Sequence, residues 1–492
     1  MIRQFALAVL AITCGLNTAV AQQPTPAAPQ TSLPPAVTID ASAPCECCQP
    51  KSTCNCPQCT KKKREAAKAK AAKAYAGVFY ANDFSYLSDP CYCDHLLFDD
   101  LKRMSMPGDG KLDIGGQMRL RGHHEQGMKG AQRFLDNHDT FLLSRVRLFA
   151  NYQVNENVRF FAETLYADSA GQNFAPRAID ENDMDVQNFL LDLRMTEEWS
   201  ILVGRQELLY GAQRTVSPLD WANTRRTFEG VRGRYKSGDW TVDTFFTAIV
   251  PVVRGKMDSA DWQQPFYGVY STFAGLERST LDLYYLGADI RAAGVDSSLH
   301  TLGSRLNGKT ESDLLYEIEG GVQFGSRDLI SPAVPTPGRG HGEWFLTGGV
   351  GHAFSDTVWT PTVWAYMDYA SRNYNQLYPL AHKYLGFIDA VQRTNILSPN
   401  LLVTMNPQDR MQLLFWYYYF MTPHTGNARG IGNQYAQNPG SRDLGHELDI
   451  LCNFRVTPRV SFATGYSHFW RGDKILNPAD ADFVYSQLQW DF

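Results

Sequence analysis

The sequence predicts an all-β protein, a closed transmembrane antiparallel β-barrel of about 18 strands that follows a Cys-rich and Lys/Ala-rich N-terminal extension. Three observations support this fold class. From about Leu112 to Phe492, short segments of alternating polar and apolar residues are separated by Gly, Asn, Asp and Pro turns. Beyond the N-terminal leader, no run of about 18 apolar residues could form a spanning helix. The chain ends on a phenylalanine inside an alternating strand, which lets the last strand pair with the first and leave no free edge.

Composition and charge exclude several classes of protein. Hydrophobic residues make up 44% of the 492 residues and charged residues 20%, which argues against a disordered chain and against a bundle of membrane helices. A formal net charge of −5 argues against a nucleic-acid-binding protein. The sequence has no phosphate-binding loop, zinc-protease helix or serine elbow, so we expect neither catalysis nor a cofactor.

Residues 1–21 are typical of a secretory signal peptide. A basic residue precedes an apolar core, and Ala19-Val20-Ala21 ends the segment before a polar break. Lipidation at Cys14 is an alternative, but the residues before it form a poor lipobox. Residues 22–44, rich in Pro, Ala, Thr and Gln, predict an extended linker.

Residues 45–95 predict a Cys-rich extension that surrounds a Lys/Ala helix. The stretch KKKREAAKAKAAKAYAG has the composition of a solvated helix that ends at Gly77. Eight of the ten cysteines of the chain lie in the extension, namely Cys45, Cys47, Cys48, Cys54, Cys56, Cys59, Cys91 and Cys93. In an oxidising periplasm, an even set of cysteines predicts disulfides throughout. Their C-x-C and C-x-x-C spacing leaves zinc or copper binding as the alternative.

In the barrel region, residues 112–492, the alternation assigns side chains to two faces. At about 10 residues per strand plus turns and long loops, this part of the chain supports about 16 to 18 strands, a width that leaves a lumen. Aromatic clusters at Phe415–Phe420 and His468–Trp470 predict interfacial girdles. The polar face of the two first strands carries Gln117, Arg119, Arg121, His123, Glu125, Arg145, Arg147 and Asn151.

The stretch VGRQELLYGAQR, from Val203 to Arg214, mixes apolar residues with fixed charges. Treated as a strand, it turns one set of side chains to a watery lumen, namely Val203, Arg205 and Glu207. The other set is expected to face lipid and consists of Leu202, Gly204 and Leu208. Arg232 and Arg234 share a face opposite Val231, so both are expected to point inward. An arginine that faced lipid at mid-membrane would cost about 2–4 kcal/mol.

These stretches resemble the alginate export family of outer-membrane barrels. GRQELLYGAQR and DWANTRRTFEGVRGRY are similar to the core shared by that family, NQLYPLAHKYLGFIDAVQRTNI to its second signature, and GHELDILCNFRVTPRVSFATGYSHFWRGD to its closing hairpin. The resemblance implies an 18-stranded barrel with an arginine-rich, electropositive constriction and loops that partly occlude the pore. The matching substrate-path residues are Arg205, Arg214, Arg225, Arg226, Arg232, Arg234, Lys383 and Arg393.

The predicted function is a passive channel that exports an anionic polysaccharide, alginate or an alginate-like polymer, through the outer membrane. Its expected partners are that polymer, outer-membrane lipid, and periplasmic export or cell-wall components. One alternative is a general or anion-selective porin for small solutes, and another is a barrel whose Cys-rich extension anchors it to a periplasmic partner. Two local alternatives also stand. The arginines could pair with Glu207 and Glu229 and stiffen the wall, and His123 with Glu125 could bind a metal.

Overall fold

The computed structural model describes five parts of the chain: residues 59–129, 132–291, 296–329, 336–426 and 435–492. The predicted signal peptide and linker lie outside these described residues. So do five of the cysteines of the extension, namely Cys45, Cys47, Cys48, Cys54 and Cys56.

Eighteen strands form a closed antiparallel barrel, in which each strand pairs with its neighbours along the chain. The seam is made by the last strand and the first long one, and Phe492 exchanges two backbone hydrogen bonds with Gly116, of 2.7 and 2.9 Å. This confirms the closure expected from the C-terminal strand. The strands are β2 Lys111–Gln126, β3 His138–Gln153, β4 Val158–Ala170, β5 Asn182–Arg194, β6 Trp199–Gln206, β7 Thr227–Ser237, β8 Trp240–Val250, β9 Pro265–Leu276, β10 Ser279–Ile290, β11 Ser297–Lys309, β12 Leu314–Leu329, β13 Thr336–Ala353, β14 Thr362–Ala370, β15 Ile396–Gln408, β16 Met411–Met421, β17 Asp443–Thr457, β18 Val460–Arg471 and β19 Ala481–Asp491.

The wall of the barrel buries charged side chains and exposes apolar ones. In β2, Arg119 and Arg121 are 2% and 1% exposed, whereas Met118 between the strand's polar positions is 42% exposed. In β3, Arg147 is buried and the adjacent Leu148 is exposed. Because successive side chains of a strand point to opposite faces, the polar face lines the lumen and the apolar face forms the outer surface. The face assignments made from the sequence for these two strands are confirmed.

The two ends of the barrel differ in the length of their connections. At one end the turns are short, for example residues 238–239, where Gly238 takes a φ of +53° in a two-residue hairpin. Both ends of the barrel chain lie there too. At the other end the connections are long, including residues 207–226 and 371–395. In outer-membrane barrels short turns face the periplasm and long loops face the outside, which orients this barrel.

The predicted girdles of aromatic side chains on the outer surface are found only in part. Trp199 lies 4.8 Å from Tyr235, and Trp240 lies 4.7 Å from Phe273, all beside the short turns. In the cluster Phe415–Phe420, however, alternate rings turn inward and are buried, because side chains alternate along a strand and consecutive residues cannot share one face. The inward rings are Trp416, Tyr418 and Phe420.

Two long connections fold into the lumen and pack against its inner wall. Residues 207–226, the β6–β7 loop, pack Leu208, Tyr210 and Val216 against inward side chains of the wall. Residues 371–395, the β14–β15 loop, bury a second apolar cluster against the inward rings of β16 and β19. The lumen therefore contains apolar surface as well as charge.

The described part of the N-terminal extension consists of a helix and short turns. The helix Lys61–Ala71 begins at the Thr60 cap, and its lysines are largely exposed. The turns are Phe79–Ala81, Ser85–Ser88, Asp99–Leu101 and Pro107–Asp109, and the short strand β1, Met104–Ser105, pairs with the start of β2. One further helical turn, Ala381–Tyr384, lies in the β14–β15 loop. None of the helices that the structure describes is long and apolar enough to cross a membrane.

Of the cysteines in the described part of the extension, Cys59 and Cys91 form a buried disulfide, and Cys93 is disulfide-bonded as well. Cys452 is free and lies on the half-exposed outer face of β17. In the parts of the chain that the structure describes, no group of three or more His, Cys, Asp or Glu residues could hold a metal ion.

Candidate functional site

The β6–β7 and β14–β15 loops meet inside the barrel through their backbones. Val216 and Tyr378 form a parallel bridge, in which the Tyr378 amide donates to the carbonyl of Thr215 at 2.9 Å. The Tyr384 hydroxyl donates to the carbonyl of Ala212 at 2.6 Å. The two loops contain most of the two internal stretches that carry the family resemblance, so the fold brings those stretches together inside the barrel.

Five buried arginines converge on the β6–β7 loop, and we call them the arginine cluster: Arg119, Arg121, Arg145, Arg147 and Arg225. Three of them hold the loop by its carbonyl groups. Arg145 donates to the carbonyls of Asp220 at 3.3 Å and Ala222 at 3.2 Å. Arg119 donates to the carbonyls of Asp220 at 2.8 Å and Ala222 at 3.1 Å. Arg121 donates to the carbonyl of Trp221 at 2.6 Å and stacks on that ring at 4.0 Å. Carbonyl oxygens stabilise a buried guanidinium without neutralising it.

The arginine cluster carries more positive than negative charge. The carboxylates within 4 Å of its guanidinium groups, among the described residues, are Glu163, Glu207 and Asp220. Five guanidinium groups against three carboxylates leave an excess of two positive charges. This count corresponds to a net positive charge on the cluster when all eight groups are ionised.

Arg214, the first of the predicted residues inside the lumen, pins the β6–β7 loop to the wall. Its guanidinium donates to Glu317 at 2.8 and 3.0 Å and to Glu319 at 2.8 Å, both on β12. It also lies 4.5 Å from the ring of Tyr384 in the other loop. Arg214 is in close contact with two carboxylates and therefore fixes the position of the loop.

Arg225 and Arg226 are adjacent but have different partners. Arg225 forms ion pairs with Glu207 and Asp220 and donates to the carbonyl of Gly77 in the N-terminal extension at 2.9 Å. Arg226 donates to the carbonyl of Pro379 at 3.3 Å and to a carbonyl of its own loop, and within the described residues no carboxylate lies within 4 Å of it.

Arg232 and Arg234 both point into the lumen from β7, as their alternation indicated. Arg234 forms a two-point contact with Asp243 at 2.9 and 3.2 Å. Arg232 lies 3.7 Å from the same carboxylate and 5.4 Å from the ring of Tyr80. One aspartate thus serves two arginines, which leaves one positive charge on this part of the wall.

The two predicted residues of the β14–β15 loop also differ in their pairing. Arg393 is buried and donates to Asp368 at 2.9 Å. Lys383 lies 5.0 Å from the ring of Tyr384 and, in the part of the chain that the structure describes, has no carboxylate within 4 Å. Lys383 and Arg226 are therefore cations of the lumen that no carboxylate neutralises within the part of the chain that the structure describes.

Arg205 does not line the lumen, which corrects the face assigned to its strand. Val203 is 41% exposed and Leu202 is 2% exposed, the reverse of the expected order. Arg205 lies on the Val203 face, opposite Glu229 on β7, and pairs with that carboxylate at 3.3 Å. It also donates to the carbonyl of Asp258 in the loop that covers it. The expected pairing of arginine with Glu229 is realised here, on the outer face.

The error has a physical cause in the contents of the lumen. Leu202 packs inside the barrel against a cluster that includes Phe79 and Tyr80 of the extension. Leu208, also expected to face lipid, packs inside with Tyr210 and Phe228. An apolar side chain on a barrel strand is confined to the lipid face only where the lumen is wet. Apolar segments lie inside the barrel beside β6, so an apolar side chain there can face either way.

Arg225 was predicted as a path residue, whereas the other four members of the arginine cluster were missed as site residues, although they had been assigned to the polar face. The feature of the sequence that could have predicted the cluster is the repetition of arginine at alternate positions on two paired strands. Arg119 on β2 lies directly opposite Arg145 on β3. The metal alternative at His123 has no support in its contacts. The His123 ring lies between Phe141 and Phe483, and its Nδ1 is 3.1 Å from Glu125, whose carboxylate also pairs with Arg177.

Comparison with known proteins agrees with this geometry. A family model described as alginate export matches residues 111–488. The fold is similar to Pseudomonas aeruginosa OccK8 (OprE), with a TM-score of 0.55 and 11% identity over 77% of this chain and 98% of that chain. It is also similar to the outer membrane protein opdK of the same organism, with a TM-score of 0.55 and 12% identity over 77% and 98% of the two chains. No curated protein sequence matches this chain. At these identities the solved structures bear on the fold alone.

Proposed function

The chain belongs to the alginate export family, and from this premise we propose that it is a passive channel that exports an anionic polysaccharide, alginate or an alginate-like polyuronate. The family, the closed barrel and its apolar outer surface make it an outer-membrane channel. The polymer that it carries and the residues that the polymer meets are the proposed part.

One observation carries the proposal: the excess of positive charge in the arginine cluster, where the two loops narrow the lumen. A fixed excess of cations in a narrow, water-poor passage raises the local concentration of anions. The guanidinium fork also matches the carboxylate that every uronate unit carries. Because a conduit must release its cargo, contacts with a few incompletely neutralised cations suit transport better than a continuous row of free arginines.

The predicted path residues divide into two roles in this proposal. Arg226 and Lys383 have no carboxylate partner in the described part of the chain, so they are available to a passing carboxylate. Arg214 and Arg393 are in close ion pairs, so they position the loops. Arg225 is paired and belongs to the arginine cluster. A periplasmic export or cell-wall partner for the extension stays a prediction.

The proposal is tested by the ion selectivity of the pore in planar lipid bilayers. Replacing Arg119 and Arg121 together by glutamine keeps a donor for the loop carbonyls and removes two charges. The expected result is a lower permeability ratio of chloride over potassium, measured from the reversal potential in a salt gradient. The matched control replaces Arg278 and Arg410, which are exposed in short turns, by glutamine and should leave the ratio unchanged. An equal ratio in the lumen variant and the parent protein would contradict the proposal.

A second candidate is an anion-selective diffusion porin for small solutes. Five predicted path residues in the lumen lie within 4 Å of a carboxylate, which lowers the charge available to a long polymer: Arg214, Arg225, Arg232, Arg234 and Arg393. The two candidates differ in their response to alginate oligomers. An exporter admits the oligomer and its small-anion current falls while the chain is inside, whereas a diffusion porin that excludes the oligomer keeps its current.

A further inference from the structure

The N-terminal extension reaches into the lumen from the end that carries the short turns. Its segment 74–86 bends back on itself, because the Asp83 amide donates to the carbonyl of Ala74 at 3.0 Å and the Ala76 amide to the side chain of Asn82 at 2.8 Å. The tip of this bend consists of Val78, Phe79 and Tyr80, all buried. A compact tip with buried aromatic rings needs a surface to cover it, and the inner wall of the barrel supplies that surface.

Apolar contacts hold the tip against the wall. Phe79 meets the ring of Phe149 edge to face at a centroid distance of 5.3 Å, and Phe84 stacks on the same ring at 6.3 Å. Tyr80 meets Phe161 at 6.2 Å. Phe149 and Phe161 belong to the lumen face of β3 and β4, so these rings are inside the barrel.

Polar contacts place the tip directly on the arginine cluster. Arg225 donates to the carbonyl of Gly77 at 2.9 Å, and the guanidinium of Arg147 stacks 3.7 Å from the ring of Phe79. The Tyr80 hydroxyl donates to the backbone carbonyl of Glu207 at 2.5 Å. A carbonyl oxygen and an aromatic face are weaker ligands of a guanidinium than a carboxylate is, since neither carries a net charge.

We propose that residues 74–86 are a plug that covers the arginine cluster from the periplasmic end, and that an anionic polymer displaces it by taking over the same guanidinium groups. This inference rests on the proposed function, since it names the regulation of that same site. The plug narrows the lumen for small ions when no polymer is present, so the parent protein conducts weakly. A polyuronate displaces the plug because its carboxylates replace the neutral ligands that the plug provides to Arg225 and Arg147.

The ends of the plug are tied so that it can move as one body. The disulfide between Cys59 and Cys91, 32 residues apart, joins the chain before the helix to the chain after the plug. Beyond it, Arg459 in a short turn of the barrel forms an ion pair with Asp99 and donates to the carbonyl of Leu97 at 2.6 Å. The segment that follows the plug is thus fixed at the rim, and a displaced plug stays attached there.

The first test compares conductances of the full chain in planar bilayers. The variant Phe79→Ala with Tyr80→Ala removes the rings that seat the plug, and we expect a several-fold rise in single-channel conductance over the parent protein. The matched control, Phe160→Ala with Tyr166→Ala, removes the same two side-chain types from the exposed face of β4 and should conduct like the parent. Heat-dependent mobility on a denaturing gel reports whether each barrel is folded. A folded plug variant that conducts like the parent would overturn the plug.

The second test needs no substitution and measures hydrogen exchange of residues 74–86 in the unaltered protein. Alginate oligomers should accelerate exchange of the amides of Ala76 and Asp83, whereas neutral dextran oligomers of the same length should not. Unchanged exchange with alginate would overturn displacement by the polymer. The proposed function fails separately: if the plug variant conducts strongly but alginate oligomers do not reduce its current, the plug stands and the export of polyuronate does not.

Discussion

Replacing Arg214 by methionine should release the β6–β7 loop from the wall. Arg214 holds the loop to β12 through Glu317 and Glu319, and all three side chains are nearly or fully buried. Methionine keeps an apolar stem for the contact with Tyr384 but removes the charge, so the carboxylates lose a partner that they cannot replace from water.

The free-energy cost of this substitution depends on the partners that remain for Glu317 and Glu319. Glu317 keeps Arg305, whose Nε lies 2.7 Å from it, so the unpaired charge falls mainly on Glu319. Removing one partner of a buried ion pair costs about 3–5 kcal/mol, and the retained Arg305 favours the lower end of that range. About 3 kcal/mol corresponds to roughly a 100-fold shift of the equilibrium between the docked and the released loop.

Single-channel recording measures this shift as the frequency of transitions to a state of higher conductance. Arg305→Met is the matched control, because Arg305 also pairs with buried carboxylates, Asp282 and Glu317, but joins strands of the wall and holds no loop. We expect frequent openings in Arg214→Met and few in Arg305→Met. Equal frequencies in the two folded variants would refute the assignment of Arg214 as a loop anchor.

Two further predictions concern residues outside the lumen. Arg205→Ala should leave ion selectivity and conductance unchanged, because Arg205 lies on the outer face beside Glu229; a changed reversal potential in a salt gradient would count against that placement. Burial, and to a smaller extent the nearby Arg459 guanidinium, lowers the pKa of Lys102 from 10.5 to about 8. Between pH 8 and pH 10.5 the undocked extension therefore binds more protons than the docked one. Docking of the extension should strengthen as the pH rises through this window. Chymotrypsin cleavage of residues 59–110, taken relative to a Lys102→Met variant at each pH, should therefore slow from pH 8 toward pH 10, and a constant ratio would contradict the burial of this lysine.

The fold could be predicted from the sequence where a strand has water on one side and lipid on the other. The first strands meet that condition, since Arg119 and Arg147 alternate with Met118 and Leu148. The seam could also be predicted, because a strand that ends the chain on Phe492 needs a partner edge. These are local patterns, and period-two alternation carries them without knowledge of the rest of the molecule.

The contents of the lumen could not be predicted in the same way. Leu202 and Val203 are both apolar, and which one faces lipid depends on whether the lumen beside them holds water or the rings of Phe79 and Tyr80. Likewise, the arginines of the two signatures are recognisable in the sequence, but their partners are not. Arg214 pairs with Glu317 on β12, 103 residues away, and Arg393 pairs with Asp368 on β14, 25 residues away. Ion pairs of this kind are set by tertiary contacts, so the sequence alone left open which arginines are neutralised.

The direct test of polymer export is the time that a single alginate oligomer spends in the pore as the driving voltage rises. A polymer that passes through leaves sooner at higher voltage, because the field pulls it toward the exit, whereas a polymer that only lodges in the pore is held longer. We expect current blocks whose duration shortens with voltage, and shorter blocks when Arg119 and Arg121 are glutamine. Blocks whose duration increases as the voltage is raised, over the whole range of voltages, would contradict export of the polymer, and so would the absence of blocks.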